Sequence, residues 1–167
     1  MKTIILPGYS IHNKDWANEV ADNLMPNIVT TVHEWEHWSR GTFSLQKETI
    51  AILEEIGNDN INIIAKSVGT RVTMNLIPKI INKLNKVILC GIPTKFESEP
   101  TQTLYRDNLR KLGSKNVICF QNSGDPFSPF VTIKNFINGV DPKITVIGKP
   151  RNDHEYPYFE DFKAFLS

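Results

Sequence analysis

The stretch Ile63-Ile64-Ala65-Lys66-Ser67-Val68-Gly69-Thr70-Arg71 decides how the chain is read. A run of aliphatics ends in a serine, and a helix-like segment follows. Ser67 stands two residues before Gly69, as in the nucleophile elbow G-x-S-x-G, but Ala65 occupies the first glycine position. Taken alone, Ser67 reads better as an N-cap of the following helix, since serine is favoured there. Its surroundings in the sequence have to decide.

Six short β-rich runs recur along the chain: Thr3–Leu6, Ile28–Val32, Ile61–Ile64, Val87–Cys90, Val117–Phe120 and Ile144–Ile147. Their starts lie 25, 33, 26, 30 and 27 residues apart, the length of a strand–helix repeat. The runs are continuously apolar, as strands covered on both faces are. Between them fall helical stripes, such as Trp16, Val20 and Leu24, or Phe130, Ile133, Phe136, Ile137 and Val140. The segment after Ser67 contains Pro78, which is expected to kink or restart that helix. This alternation predicts one α/β domain over 1–167, a six-stranded, mainly parallel sheet with helices on both faces.

In such a sheet, sites form beyond the carboxyl ends of strands, near the point where strand order reverses. The first run ends in Pro7-Gly8-Tyr9-Ser10, the third in Ala65-Lys66-Ser67, the fifth in Gln121-Asn122-Ser123-Gly124-Asp125-Pro126, and the sixth is followed by Gly148 to His154. A hydroxyl, a carboxylate and an imidazole therefore occur at strand ends in the order Ser67, Asp125, His154. That is the order of the α/β-hydrolase triad. A serine hydroxyl needs an adjacent base, histidine can take and return the proton, and a buried carboxylate fixes the imidazole tautomer. His154 is the only histidine after residue 37. Asp153, its immediate neighbour, is badly placed to hold the same ring and reads as a solvated loop carboxylate.

These residues carry a resemblance. "LPGYS" with Trp16 eight residues past Gly8, "AKSVGT", "NSGDPFSP" and "DHEY" together resemble the small α/β-hydrolases of the retinoblastoma-binding-protein-nine and YdeN type, over essentially the full length. The resemblance implies a three-layer α/β-hydrolase fold and serine-hydrolase chemistry, usually esterase-like. It implies Ser67 as nucleophile, His154 as base and Asp125 as its orienting acid, with the amides of Tyr9 and Val68 as oxyanion hole. The chain departs from the family pattern at Ala65, and Pro7-Gly8 stands where many larger hydrolases have His-Gly.

"HEWEHW", His33 to Trp38, invites a metal reading because His33 and His37 are four apart beside Glu34 and Glu36. The stretch follows the second strand, where a loop runs towards the active site, so pocket wall or packing aromatics are the preferred reading. Gly8, Trp35, Trp38 and Phe127 are accordingly expected at the substrate, with no metal or cofactor. Lys66 reads as a solvated or pocket-edge lysine rather than a partner in a Ser–Lys dyad. The 26 residues from Gly91 to Asn116 hold a loop and one helix, which predicts no cap domain and a small, open pocket.

Composition allows a real hydrophobic core and speaks against disorder. Hydrophobic residues make up 40% and the formal net charge is +1, which gives no reason to invoke nucleic acid or an anionic membrane. The start "MKTIIL" is too short an apolar run for a signal peptide, and Cys90 and Cys119 each end an aliphatic run, as buried free thiols do. A cytoplasmic serine hydrolase for small esters or thioesters, working through an acyl-enzyme, is the expectation. A protein-binding scaffold with an unused triad, or a small peptidase or amidase, are its rivals.

Overall fold

A computed structural model of the chain describes residues 1–93 and 99–167. The six aliphatic runs become β1 (Lys2–Leu6), β2 (Val29–Val32), β3 (Ile61–Lys66), β4 (Leu84–Cys90), β5 (Val117–Asn122) and β6 (Thr145–Lys149). They form one sheet in the order β2-β1-β3-β4-β5-β6, and every pairing is parallel. The apolar runs are continuous because the central strands are buried on both faces: all of β3 and β5 is buried, whereas β2 and β6, at the edges, are partly exposed.

Helices α1 (Asn13–Leu24) and α6 (Phe159–Leu166) cover one face. Trp16, Val20, Leu24 and Phe162 pack there with Ile5, Ile64, Ile88 and Phe120. The other face carries α2 (Leu45–Ile56), α3 (Val68–Ile80), α4 (Glu99–Leu112) and α5 (Phe130–Val140) over a larger core of Ile4, Ile63, Ala65, Leu89 and Cys119. The fold is the expected three-layer one. Only residues 91–98 separate β4 from α4, so no cap domain can be housed there.

Two local expectations are corrected. Pro78 does not restart the helix, because α3 runs through it to Ile80. The proline sits in the last turn, where it costs a single amide donor, and the buried Leu76, Ile77 and Ile80 hold that turn on the core. Lys66 is not solvated. It is 1% exposed, lies over the Trp16 ring, and its Nζ donates to Glu155 Oε2 at 2.7 Å. The two cysteines are free and buried as expected, and they belong to cores on opposite faces of the sheet, so they cannot meet. Burial pushes the Cys119 thiol up to about 12.

A chain reversal occurs between β1 and β3. The chain steps from β1 outward to β2, then crosses back to the other side of β1, and this opens a crevice at their carboxyl ends. The outgoing end of β2 is tied down by His33, which is buried. Its Nδ1 meets Glu55 Oε1 at 2.8 Å and its Nε2 meets Glu48 Oε2 at 3.0 Å, both from α2. Burial alone would lower the His33 pKa, but the two carboxylates more than offset it and raise the pKa.

A group whose folded pKa is raised adds stability that is fully present below its unfolded value of about 6.5 and is lost as pH rises through the folded value. His33→Gln leaves the buried Glu48 without its cation, and denaturant unfolding is expected to show a loss of about 3 kcal/mol near pH 6. The deficit should shrink as pH is raised. A deficit independent of pH would show that the ring is held neutral.

Candidate active site

Strand β3 delivers Ser67 to the crevice on a sharp turn. Ser67 has φ 54° and ψ −118°, and is the only non-glycine residue with positive φ among the described residues. Such a backbone costs about 1–3 kcal/mol and persists only where the surroundings impose it. Gly69 shows what imposes it. A Cβ at Gly69 would lie 2.3 Å from the Leu6 carbonyl oxygen, so the first turn of α3 is pressed against the end of β1. Ser67 N donates to the Cys90 carbonyl at 2.9 Å, and Thr70 Oγ1 donates back to the Ser67 carbonyl at 2.7 Å. The Ser67 side chain does not cap the helix, so the N-cap reading of this serine loses its basis.

The acid and base come from the loops after β5 and β6. Asp125 is 3% exposed, and its Oδ2 accepts from His154 Nδ1 at 2.6 Å and from the Tyr156 hydroxyl at 2.5 Å. Its Oδ1 accepts from the amides of Phe127 and Ser128 at 2.8 and 3.2 Å. Burial alone would raise the Asp125 pKa, but the bonds from His154, Tyr156 and Phe127 more than offset it and lower the pKa. An ionised carboxylate only accepts, so Nδ1 of His154 donates to it, which makes Nε2 the acceptor atom of the neutral ring. That Nε2 is buried with no hydrogen-bond partner among the described residues.

The imidazole is seated against the β4 end. A Cβ on Gly91, which has φ +58°, would fall 2.7 Å from His154 Cε1 and 2.6 Å from Tyr156 Cε2. The residue before it, Cys90, takes the Ser67 amide. Ser67 and His154 thus border the same strand end. No hydrogen bond joins Ser67 Oγ to Nε2 among the described residues, as is common where no substrate is bound. Asp153 turns away, gripped by Arg151 through both carboxylate oxygens.

Tyr156 is a site residue that the sequence reading missed. Its carbonyl accepts from Trp16 Nε1 at 3.0 Å, which anchors the His154 segment to α1. Burial, and then the bond to the Asp125 carboxylate, push its phenol far above the usual range.

On the opposite wall, the β1 loop is gripped from behind. Trp35 Nε1 donates to the Gly8 carbonyl at 3.0 Å, and Trp38 Nε1 and His37 Nε2 both donate to the Tyr9 carbonyl, at 2.9 and 2.8 Å. The carbonyl of Gly8 and the amide of Tyr9 belong to one planar trans peptide, in which C=O and N–H point in opposite directions. Holding the carbonyl on one side therefore aims the Tyr9 N–H to the other. Neither the Tyr9 nor the Val68 amide has an acceptor among the described residues.

A cavity of about 440 Å³ opens here, lined by Tyr9, Ser67, Val68, Arg71, Pro93, Thr101 and Phe127. Phe127 is half exposed and packs edge-on against His154 with centroids 4.6 Å apart. Of the residues expected at the substrate, Phe127 lines this cavity, whereas Gly8, Trp35 and Trp38 do not. Trp35 is 1% exposed and works from beneath the loop. His33 and His37 do not converge either, because the two glutamates hold the first and the Tyr9 carbonyl takes the second. Among the described residues no three His, Cys, Asp or Glu side chains are grouped to hold a metal, and no helix is long and apolar enough to cross a membrane.

No protein-family model matches the chain, and no curated protein matches it. Solved structures do. An α/β serine hydrolase without a lid from Xanthomonas campestris matches 99% of this chain and 78% of its own, with a TM-score of 0.74 at 15% identity. The ydeN gene product of B. subtilis matches over 99% of both chains, with a TM-score of 0.68 at 13% identity. The naproxen esterase, carboxylesterase NP, of Bacillus subtilis matches 99% of this chain and 83% of its own, with a TM-score of 0.70 at 8% identity. The chain therefore has the α/β-hydrolase fold without a lid. At these identities the likeness speaks for the fold, and the chemistry rests on the residues of the site.

Asp125 should respond to acid through Tyr156. A lowered pKa adds stability that is present above the unfolded value of about 3.9 and is lost as pH falls through the folded value. Tyr156→Phe keeps the ring and removes one donor to the carboxylate. It is expected to cost about 1–3 kcal/mol at pH 7 and to move acid unfolding to higher pH, read by circular dichroism across a pH series.

Proposed function

We propose that the chain is a serine hydrolase that cleaves small esters or thioesters through an acyl-enzyme. The observation that carries this reading is the pairing of a carboxylate-bound imidazole, its Nε2 buried and unpartnered, with a serine held at positive φ beside the same strand end. Structural buried polar groups are normally satisfied, so a lone acceptor there calls for a purpose. Ser67 Oγ attacks the carbonyl carbon while His154 Nε2 takes its proton. The oxyanion that develops is received by the amides of Val68 and Tyr9, and Asp125 steadies the imidazolium. The proton then passes to the leaving alcohol or thiol as the C–O or C–S bond breaks. Water, deprotonated by His154, releases the acid and restores Ser67.

A cavity of about 440 Å³ with no lid above it suits short acyl groups better than long lipid chains. Cys90 and Cys119, free and buried, suit a reducing cytoplasmic setting. The reading is tested with a fluorophosphonate probe, expected to label the native protein and not Ser67→Ala. Native protein that stays unlabelled would support a scaffold instead. Comparing ester, thioester and aminoacyl-amide substrates separates an esterase from a peptidase or amidase.

The grip on the β1 loop has its own consequence. Trp35→Phe retains an aromatic ring under the loop but frees the Gly8 carbonyl, so the Tyr9 amide is no longer aimed. Such a change acts on the transition state, and kcat is expected to fall about tenfold to a hundredfold with little change in KM. A rise in KM at constant kcat would assign Trp35 to substrate binding.

A further inference from the structure

One cavity residue is not used by this chemistry. Among the described residues that line the cavity with Ser67, Arg71 is the only one with a charged side chain, and it is exposed. Its guanidinium has no ion-pair partner among the described residues, although other charged side chains such as Lys66, Lys149 and Arg151 are paired. Nor does its position help the fold. Arg71 is the fourth residue of α3, whose N-terminal turn carries partial positive charge and disfavours a cation. A long cationic side chain at the positive end of a helix, with no carboxylate among the described residues to offset it, costs stability where it stands. The cost is local, because the chain as a whole carries a net charge of only +1.

The helix end, the unpartnered amides of Val68 and Tyr9, and Arg71 bring positive charge to this cavity, and none of its lining residues among the described residues is acidic. Building on the hydrolase reading above, we propose that Arg71 selects substrates whose acyl chain ends in a carboxylate, such as half-esters or half-thioesters of short dicarboxylic acids. With the carbonyl at Ser67 and the oxyanion at the two amides, the far end of a short acyl chain reaches along the first turn of α3 to the guanidinium. The planar fork accepts a carboxylate in two parallel hydrogen bonds. One guanidinium, with no lysine lining the cavity among the described residues, matches a carboxylate monoanion better than a phosphate dianion. Hydrolysis breaks the acyl C–O or C–S bond, water supplies the new oxygen, and a dicarboxylate and an alcohol or thiol leave.

The test compares p-nitrophenyl hemiglutarate with p-nitrophenyl valerate, equal in chain length and differing in the terminal carboxylate. Native protein is expected to prefer the hemiglutarate in kcat/KM, and Arg71→Gln to reduce that preference by about tenfold, as expected for loss of one charge-assisted pair. Arg71→Glu should invert it. Raising salt should weaken the native preference. Fluorophosphonate labelling of Ser67 in every variant keeps the hydrolase reading separate. Labelled protein that does not discriminate between the two esters, or that discriminates equally with Gln at position 71, overturns the role of Arg71 and leaves the hydrolase intact. If no ester is turned over, glutarate binding to Ser67→Ala, measured by titration calorimetry, still decides: binding lost with Arg71→Gln supports the proposal, and absent or unchanged binding overturns it.

Discussion

The site depends on one close approach: helix α3 meets the end of β1 with no room for a side chain between them. A methyl group on Gly69 would collide with the Leu6 carbonyl, and with the Pro7 carbonyl at 2.9 Å. That contact sets how steeply the chain must turn from β3 into α3, and Ser67 absorbs the turn with its positive φ. The strained serine is the consequence of packing at Gly69. Ala65 in place of the usual first glycine is compatible with this, because it lies fully buried within β3 in register with Leu6, before the turn begins. The turn places its demand on residue 67, and only the residue two positions later must be glycine.

The other parts are brought to this turn by the strands on either side of β3. On one side, β1 supplies the Gly8–Tyr9 peptide, and the segment after β2 locks it through Trp35, His37 and Trp38. That segment is in turn held by α2: Glu48 accepts from the His33 ring and, through its other oxygen, from the Glu36 amide at 3.0 Å. On the other side, β4 supplies the Cys90 carbonyl and Gly91, against which the His154 ring rests, and β5 supplies Asp125. Asn122, at the end of β5, fastens the His154 loop by donating to the carbonyls of Asp153 and Glu155. Two buried polar networks flank one strained residue.

What could be read from the sequence follows this division. The aliphatic runs, their spacing and the order Ser67, Asp125, His154 are local or ordinal features, and they were enough for the fold, the parallel sheet and the meeting of Asp125 with His154. The supporting hydrogen bonds were not legible. Trp35 and Trp38 read as pocket walls because aromatic residues after a strand fit a pocket, yet their ring N–H groups reach backbone carbonyls 27 and 29 residues away. A carbonyl acceptor leaves no trace in residue identity. Tyr156 was hidden for a similar reason: an aromatic residue two places after His154 looks like packing, and only the tertiary fold turns its hydroxyl onto Asp125. Lys66 misled through its charge. Alternation along β3 carries its side chain to the face opposite Ala65, beneath α1, where Trp16 and Glu155 make burial tolerable.

Arg71 completes the contrast between charges that serve the fold and a charge that does not. Lys66 and His33 are buried and each is paired with a carboxylate, as a charge inside a protein must be. Asp125 is buried and saturated with four donors. Arg71 lies in the open cavity beside Ser67, at the helix end that repels it, with no acidic residue in the cavity lining among the described residues. Solvent makes such a placement tolerable in the empty site, and a bound carboxylate would make it favourable. Around the turn, His154 Nε2 and the amides of Tyr9 and Val68 have no partner among the described residues, and the proposed reaction gives each of them a task. The guanidinium differs from them in reach, since it stands one helical turn further along α3. It is therefore placed to read the part of a substrate that does not react.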